Sequence, residues 1–211
     1  MPRGPDLAHK ATLLDRATNY LLAHGLTSVS LRDLAEATGV SSRMLVHHFG
    51  SKEHLLVDAL GEARRRQRTA FEARLKAQLG RPYAEVVADA WRWMNTDEAA
   101  PYLRLFGELH ALATAPESPY AEFARHSVTD WLPTLEAGFL ADGDQPAQAQ
   151  RLATLTLAVT RGLLLDRNAL EDRVRVNDAQ AFFVQLLSRH RSQHQGAQPS
   201  AATGDTTTRS S

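Results

Sequence analysis

Between Thr27 and Leu55 the chain reads TSVSLRDLAEATGVSSRMLVHHFGSKEHL. Guanidinium, imidazole, ammonium and hydroxyl groups crowd this stretch, and all of them can donate to anions or to base edges. Two other chemistries are open to such residues. His47 and His48 are metal-ligand types, but neighbouring helical residues point about 100° apart and rarely share one ion. His190 and His194 have i, i+4 spacing, with no carboxylate evident beside them. The chain also lacks a nucleophile elbow, a phosphate-binding glycine loop, a zinc-protease helix motif and an obvious pair of carboxylates. It has no cysteine, which excludes disulfides, thiolate zinc sites and a cysteine nucleophile. No catalytic residue, metal or cofactor is therefore expected. The chemistry is that of binding.

The elements that must hold these donors are short helices. Ser30-Leu31-Arg32-Asp33 is a capping box that starts one of them. Leu34 and Ala35 face a core, Gly39 makes a sharp turn, and Val40 fills the gap before the next helix. Leu45 and Phe49, four apart, anchor that second helix on the same core. Two short helices joined by a glycine turn make a helix-turn-helix. Its second helix is left free to enter a major groove, with its N-terminal residues at base edges.

The segment GVSSRMLVHHFGSKEHLL at 39–56, preceded by LRDLAEATGV, resembles the TetR family of bacterial transcription regulators. The resemblance covers roughly residues 8–60. It implies an all-α protein of about nine helices, with a three-helix DNA-binding domain followed by a larger helical bundle. By position it implies that Ser41, Ser42, Arg43, Met44, Val46 and His47 meet bases or backbone from the recognition helix. It further implies that Arg32 reaches a base or phosphate, that Lys52 holds a phosphate at the start of a long helix, and that Thr27, Ser30 and His48 are phosphate contacts. Val46 departs from the pattern, because tyrosine is common there. A phosphate hydroxyl contact is lost, and an apolar contact to a thymine methyl becomes available.

Periodicity predicts helices throughout: over 6–24, closed by Gly25, after Ser30, after Ser41, and from Ser51 towards Leu79, where Gly80-Arg81-Pro82 stops it. Arg64, Arg65, Arg66 and Arg68 wrap around that long helix and read as a solvated face. Further apolar stripes lie at Tyr83 to Met94 and at Tyr102 to Leu109. Ser118-Pro119 signals a helix start, and Pro133 a kink. Two more helices are expected near 147–169 and 178–192. The expected domains are a reader over 1–51, a connecting helix over 52–80, an effector and dimerisation domain over 81–194, and a disordered tail over 195–211.

The 147–169 helix is apolar on two sides. Leu152, Leu155, Val159 and Leu163 form one stripe, with Leu157, Ala158, Leu164 and Leu165 opposite. Such a helix must be covered twice, by its own core and by a second subunit. The family resemblance implies a four-helix dimer bundle, to which Phe182, Phe183, Leu186 and Leu187 would contribute. Arg161 lies about 180° from the Leu152 stripe and so points inward. It would meet an anionic or carbonyl-bearing effector, an internal carboxylate such as Glu108, or a structural hydrogen-bond net. Trp91, Trp93, Met94, Tyr102, Phe106, His110, Phe123 and Trp131 are the candidate walls of a pocket for a small hydrophobic or anionic molecule.

Apolar residues make up 43% of the 211, enough for a core. Net charge is zero, but residues 1–80 carry 12 Lys and Arg against 8 Asp and Glu, a mild basic bias for the reading half. No export signal is evident, and no run approaches a membrane span, so a cytoplasmic protein is expected. The expected partners are a palindromic double-stranded DNA site, a second copy of the chain and a small-molecule effector. The alternative is a helix-turn-helix regulator whose larger domain binds a protein.

Overall fold

The computed structural model describes residues 4–76, 78, 80–170 and 172–196. Among these it is all-helical, with α1 (Gly4–His24), α2 (Leu31–Thr38), α3 (Ser42–Phe49), α4 (Lys52–Lys76), α5 (Tyr83–Met94), α6 (Ala100–Ala113), α7 (Ala121–Thr129), α8 (Leu132–Ala141), α9 (Pro146–Ala169) and α10 (Arg173–Gly196). The tail expected over 195–211 lies, from residue 197 on, outside the described residues.

Two apolar cores organise the helices. The first gathers Leu13, Ala17 and Leu21 of α1, Leu34 of α2, Leu45 and Phe49 of α3, and Leu55, Ala59 and Leu60 of α4. The i, i+4, i+8 spacing on α1 places its three residues on one stripe against α4. Leu105, Phe106 and Leu109 of α6 belong to this same core. The second core joins Tyr83, Val86 and Val87 of α5 to Leu135 and Phe139 of α8, Leu152 and Ala153 of α9, and Leu187 of α10. The rings of Tyr83 and Phe139 meet edge to face at 4.7 Å between centroids. Burial, and then Asp142 nearby, push the Tyr83 hydroxyl above its ordinary range.

Two expectations shift here. Pro133 does not bend one long helix. The chain breaks at Asp130-Trp131, and Pro133 opens α8 as a residue of its first turn, where its missing N–H costs nothing. The Ser118-Pro119 signal falls earlier than the helix. The Ser118 hydroxyl accepts from the Tyr120 N–H at 3.3 Å, and α7 starts at Ala121.

The arginines expected on a solvated face of α4 are engaged. Arg66 donates to Glu62 at 2.8 Å on its own helix and to Asn19 and Asp15 on α1, both at 2.7 Å. Arg65 grips Glu62 with two bonds of 2.7 Å, and Arg68 pairs with Glu72 at 3.1 Å. Arg64 is buried. The bonds from Arg65, with those from Arg66 after them, hold the Glu62 carboxyl down to about 2, from an ordinary 4.5. A depressed carboxyl stabilises the fold above its unfolded value and loses that contribution as pH falls through the folded one. Glu62→Gln is therefore expected to lower stability at pH 7, and the deficit should shrink between about pH 4.5 and 2. Denaturant titrations of both proteins across that range test this, and a deficit unchanged with pH would contradict it.

Candidate nucleic-acid interface and effector cavity

The helix-turn-helix is built by local chemistry. The Ser30 hydroxyl accepts from the Asp33 N–H at 3.1 Å, while the Asp33 carboxylate takes the Ser30 N–H at 2.9 Å and its hydroxyl at 2.6 Å. These bonds hold the Asp33 carboxyl below its ordinary value, with Arg32 and Lys52 adding attraction. Gly39 closes α2 in the left-handed region, at φ 76°, where a Cβ would be strained. The Ser41 hydroxyl then caps α3 by accepting from the Met44 N–H at 3.3 Å. Leu45 and Phe49 turn into the core, so Ser42, Arg43, Met44, Val46 and His47 are left facing outward in varying degree. Met44 and Val46 are each 40% exposed, unusual for apolar side chains on a short amphipathic helix. Arg32, Arg43 and Lys52 form no ion pair within the described residues.

Three expected contacts sit differently. The one proton of the Ser30 hydroxyl is committed to Asp33, leaving none for a phosphate oxygen. The Thr27 N–H donates to the Glu108 carboxylate at 3.1 Å, so a negative charge already occupies its front. His48 is half-buried, with its ring 5.4 Å from that of His9 on α1 and as far from that of His47.

A cavity of about 240 Å³ opens between α4, α5, α6, α7, α8 and α9. Phe71, Trp93 and Trp131 make an aromatic wall, with ring centroids 5.0 Å apart for Phe71 and Trp131 and 5.9 Å for Phe71 and Trp93. Val86, Val87 and Ala90 of α5, Phe106 and His110 of α6, and Leu157, Leu164 and Leu165 of α9 continue the lining. Arg64, Ser127, Thr156 and Arg161 are among its polar members. The His110 Nδ1–H donates to the Phe106 carbonyl at 2.6 Å, and Nε2 lies 3.2 Å from the Ser127 hydroxyl.

Of the residues expected as pocket walls, Trp93, Met94, Phe106, His110, Trp131 and Arg161 line this cavity. Trp91 is not. It points the other way along α5, where its indole N–H donates to Asn177 of α10 at 2.9 Å. Tyr102 and Phe123 cover the first core instead, and Phe123 stacks on Phe106 at 6.5 Å. Sequence reasoning missed Phe71 and Arg64. Both lie on α4, inside a helix whose arginine run masks the face that turns inward.

Leu152, expected on the outward stripe of α9, is 7% exposed and sits in the second core, and Phe183 packs against that core. The outward face is rotated by a fraction of a turn. It presents Leu155, Ala158 and Gly162, flanked by the half-exposed Val159 and Leu163, beside Phe182 and Leu186 of α10. Leu155 and Phe182 are each 55% exposed.

Helix α6 joins the cavity to the reader. Its Phe106 and His110 line the cavity, while Arg104 and Glu108 grip the end of α1. Arg104 donates to the Leu22 and Ala23 carbonyls at 2.6 and 2.8 Å, groups that a helix terminus leaves without intrahelical partners. Glu108 accepts from the Leu26 N–H at 2.5 Å and the Thr27 N–H at 3.1 Å. Glu108 is thus bound elsewhere and is not the partner of Arg161.

Residues 13–59 match the family model described as bacterial regulatory proteins, tetR family. Over 53 residues the chain is 45% identical to the HTH-type transcriptional regulatory protein RaaS of Mycobacterium tuberculosis, covering 25% of this chain and 24% of that protein. It is 23% identical over 169 residues to the HTH-type transcriptional regulator EthR of Mycolicibacterium smegmatis, covering 80% and 76%. The fold superposes on a TetR-family transcriptional regulator from Cytophaga hutchinsonii with a TM-score of 0.74 at 17% identity, covering 90% of this chain and 98% of the other.

The helix-turn-helix over residues 13–59 is of the TetR type. The strong identity is confined to the reader, so the chain spans about a quarter of RaaS. The TetR-family reader and the larger helical domain meet at α6, through Arg104 and Glu108. Gly25 is the residue that lets them meet. It holds φ at +86°, and a Cβ there would come within 2.5 Å of the Glu108 carboxylate. Gly25→Ala is expected to cost about 1–3 kcal/mol from the backbone conformation and to displace Glu108. Thermal melts, with hydrogen exchange at the Leu26 and Thr27 amides, measure both effects. Unchanged protection of these amides would contradict the role given to Glu108.

Proposed function

We propose that the chain is a homodimeric, cytoplasmic repressor that binds a palindromic DNA site through α3 and is released by a small molecule held in the cavity. The carrying observation is the double use of α6, whose one face lines the cavity while another clamps the end of α1. A ligand that needs the cavity walls in a different arrangement acts on α6 directly, and through Arg104 and Glu108 on the reader. It shifts the equilibrium only by its difference in affinity between the two arrangements.

The reader supports the DNA reading with three cations, Arg32, Arg43 and Lys52, that form no ion pair among the described residues, the first two of them exposed. In this reading Arg43 and His47 meet base edges, Met44 and Val46 offer apolar contact, Ser41 and Ser42 add hydroxyl donors, and Lys52 holds a phosphate beside Arg32. Thr27 and Ser30 leave the proposed contact set because their donors are spent on Glu108 and Asp33. His48 stays in it as a residue that supports His47. The outward face of α9 and α10 supports a two-fold dimer. Ala158 and Gly162 let a partner helix come close, and Leu155, Phe182 and Leu186 gain burial. Two recognition helices related by that axis would read half-sites about one helical turn apart. The cavity favours a small molecule over a protein as the partner of the larger domain, since a ligand-sized hollow serves no protein interface.

Selection of bound DNA from a random pool tests the reading, with enrichment of a palindrome expected. On the selected site, Arg43→Ala is expected to cost about 1–3 kcal/mol and to relax specificity at one base position. Lys52→Ala should weaken all sequences alike and reduce the salt dependence by about one unit of slope. Failure to enrich any palindrome would remove the proposal, and an unchanged salt slope would remove the phosphate role of Lys52.

A further inference from the structure

The charges around the cavity do not balance. No aspartate or glutamate lines it, yet two arginines do. Arg64 has a counter-charge, with Asp130 3.4 Å away, and its guanidinium lies over the Trp131 ring at 5.6 Å. Arg161 has none. Its one hydrogen bond runs from Nη2 to the backbone carbonyl of Ser127 at 2.7 Å. A guanidinium carries five N–H donors, so most of those on Arg161 have no partner among the described residues. Burial, and then the repulsion of Arg64, pull its guanidinium below the ordinary arginine value. Arginine nevertheless keeps its charge in proteins, and a partly buried charge without a counter-charge is costly. A second polar group is also unspent. The Thr156 hydroxyl, on the same helix and in the same lining, is buried and makes no hydrogen bond.

The rest of the lining is mostly apolar or aromatic, with the uncharged polar groups of Gln67, Ser127, Thr160 and Asn168 and the His110 ring among it. One uncompensated cation among apolar walls matches a ligand with one negative charge and an apolar body. A dianion would carry a surplus charge into this surface, and a neutral ligand would leave Arg161 unpaired. Planar carboxylates suit the guanidinium fork with two parallel bonds.

Resting on the reading of this cavity as the effector site, we propose that its ligand is a small apolar monocarboxylate. The carboxylate is held by Arg161 with Thr156 nearby, and the apolar body lies against Phe71, Trp93 and Trp131. Trp93 and Trp131 would then report binding through their fluorescence.

The test uses the full chain and three probes, 4-phenylbutyrate, 1-naphthylacetate and decanoate, each beside its primary amide. Tryptophan fluorescence titrations and thermal melts are recorded for the native protein, Arg161→Gln and Arg161→Lys. At least one acid is expected to bind about tenfold or more tightly than its amide, the scale of one charge-assisted hydrogen bond. Arg161→Gln should remove that preference while amide binding remains, and Arg161→Lys should keep part of it. Acids and amides binding alike, no acid binding at millimolar concentration, or an undiminished preference in Arg161→Gln would each overturn the proposal. A DNA titration with each probe separates the two readings. Release of DNA by an amide alone keeps the sensing role and removes the carboxylate. Tight acid binding with unaltered DNA affinity keeps the carboxylate and removes the sensing role.

Discussion

A single carboxylate decides how the two halves of this molecule sit. Glu108 reaches from α6 to the turn after α1 and accepts the Leu26 and Thr27 N–H groups. One turn earlier on the same helix, Arg104 donates to the Leu22 and Ala23 carbonyls. Arg104 thus satisfies carbonyls that the C-terminus of α1 leaves open, and Glu108 the N–H groups of the turn that follows, and bonds to charged groups are the stronger kind. Gly25 makes the approach possible. The apolar stripe of Leu105 and Leu109 then sets α6 into the reader's core.

The larger domain is looser by construction. Its core of α5, α8, α9 and α10 leaves a hollow against α4 and α6, with two guanidinium groups at its edge. A cavity forfeits dispersion contacts, and a partly buried cation without a counter-charge forfeits some solvation. Under the proposed sensing role both are tolerable, because a ligand that binds only the folded state stabilises it. The reader is held by short-range caps and close packing and needs no such help. Helices α6 and α4 both line the cavity and belong to the first core, and so join the hollow to the reader.

The reader was legible in the sequence because each of its devices is local. Ser30 and Asp33, Gly39, Ser41, and Leu45 with Phe49 act within a few residues of one another, so spacing alone places them. The larger domain was legible as helices, and its partners were not. Trp91 and Trp93 are two residues apart on a helix and face α10 and the cavity respectively, which no stripe drawn on α5 could divide. Glu108 looked like a counter-charge for Arg161, but its partners lie more than eighty residues away in the chain. Leu152 shares a stripe with Leu155, yet a small rotation of α9 buries the first and exposes the second. Pairings across long sequence separations depend on how helices dock, and periodicity carries no record of that.

The account stands on the claim that α6 holds the reader in its DNA-binding arrangement through Arg104 and Glu108. The most direct measurement is the affinity of the Arg104→Ala, Glu108→Ala double variant for a DNA site selected by the native protein, with helical content and dimer state checked alongside. Neither residue belongs to the proposed DNA contacts. A loss of about tenfold is predicted, a typical coupling between distant sites, with helical content and oligomeric state unchanged. An affinity equal to that of the native protein would contradict it.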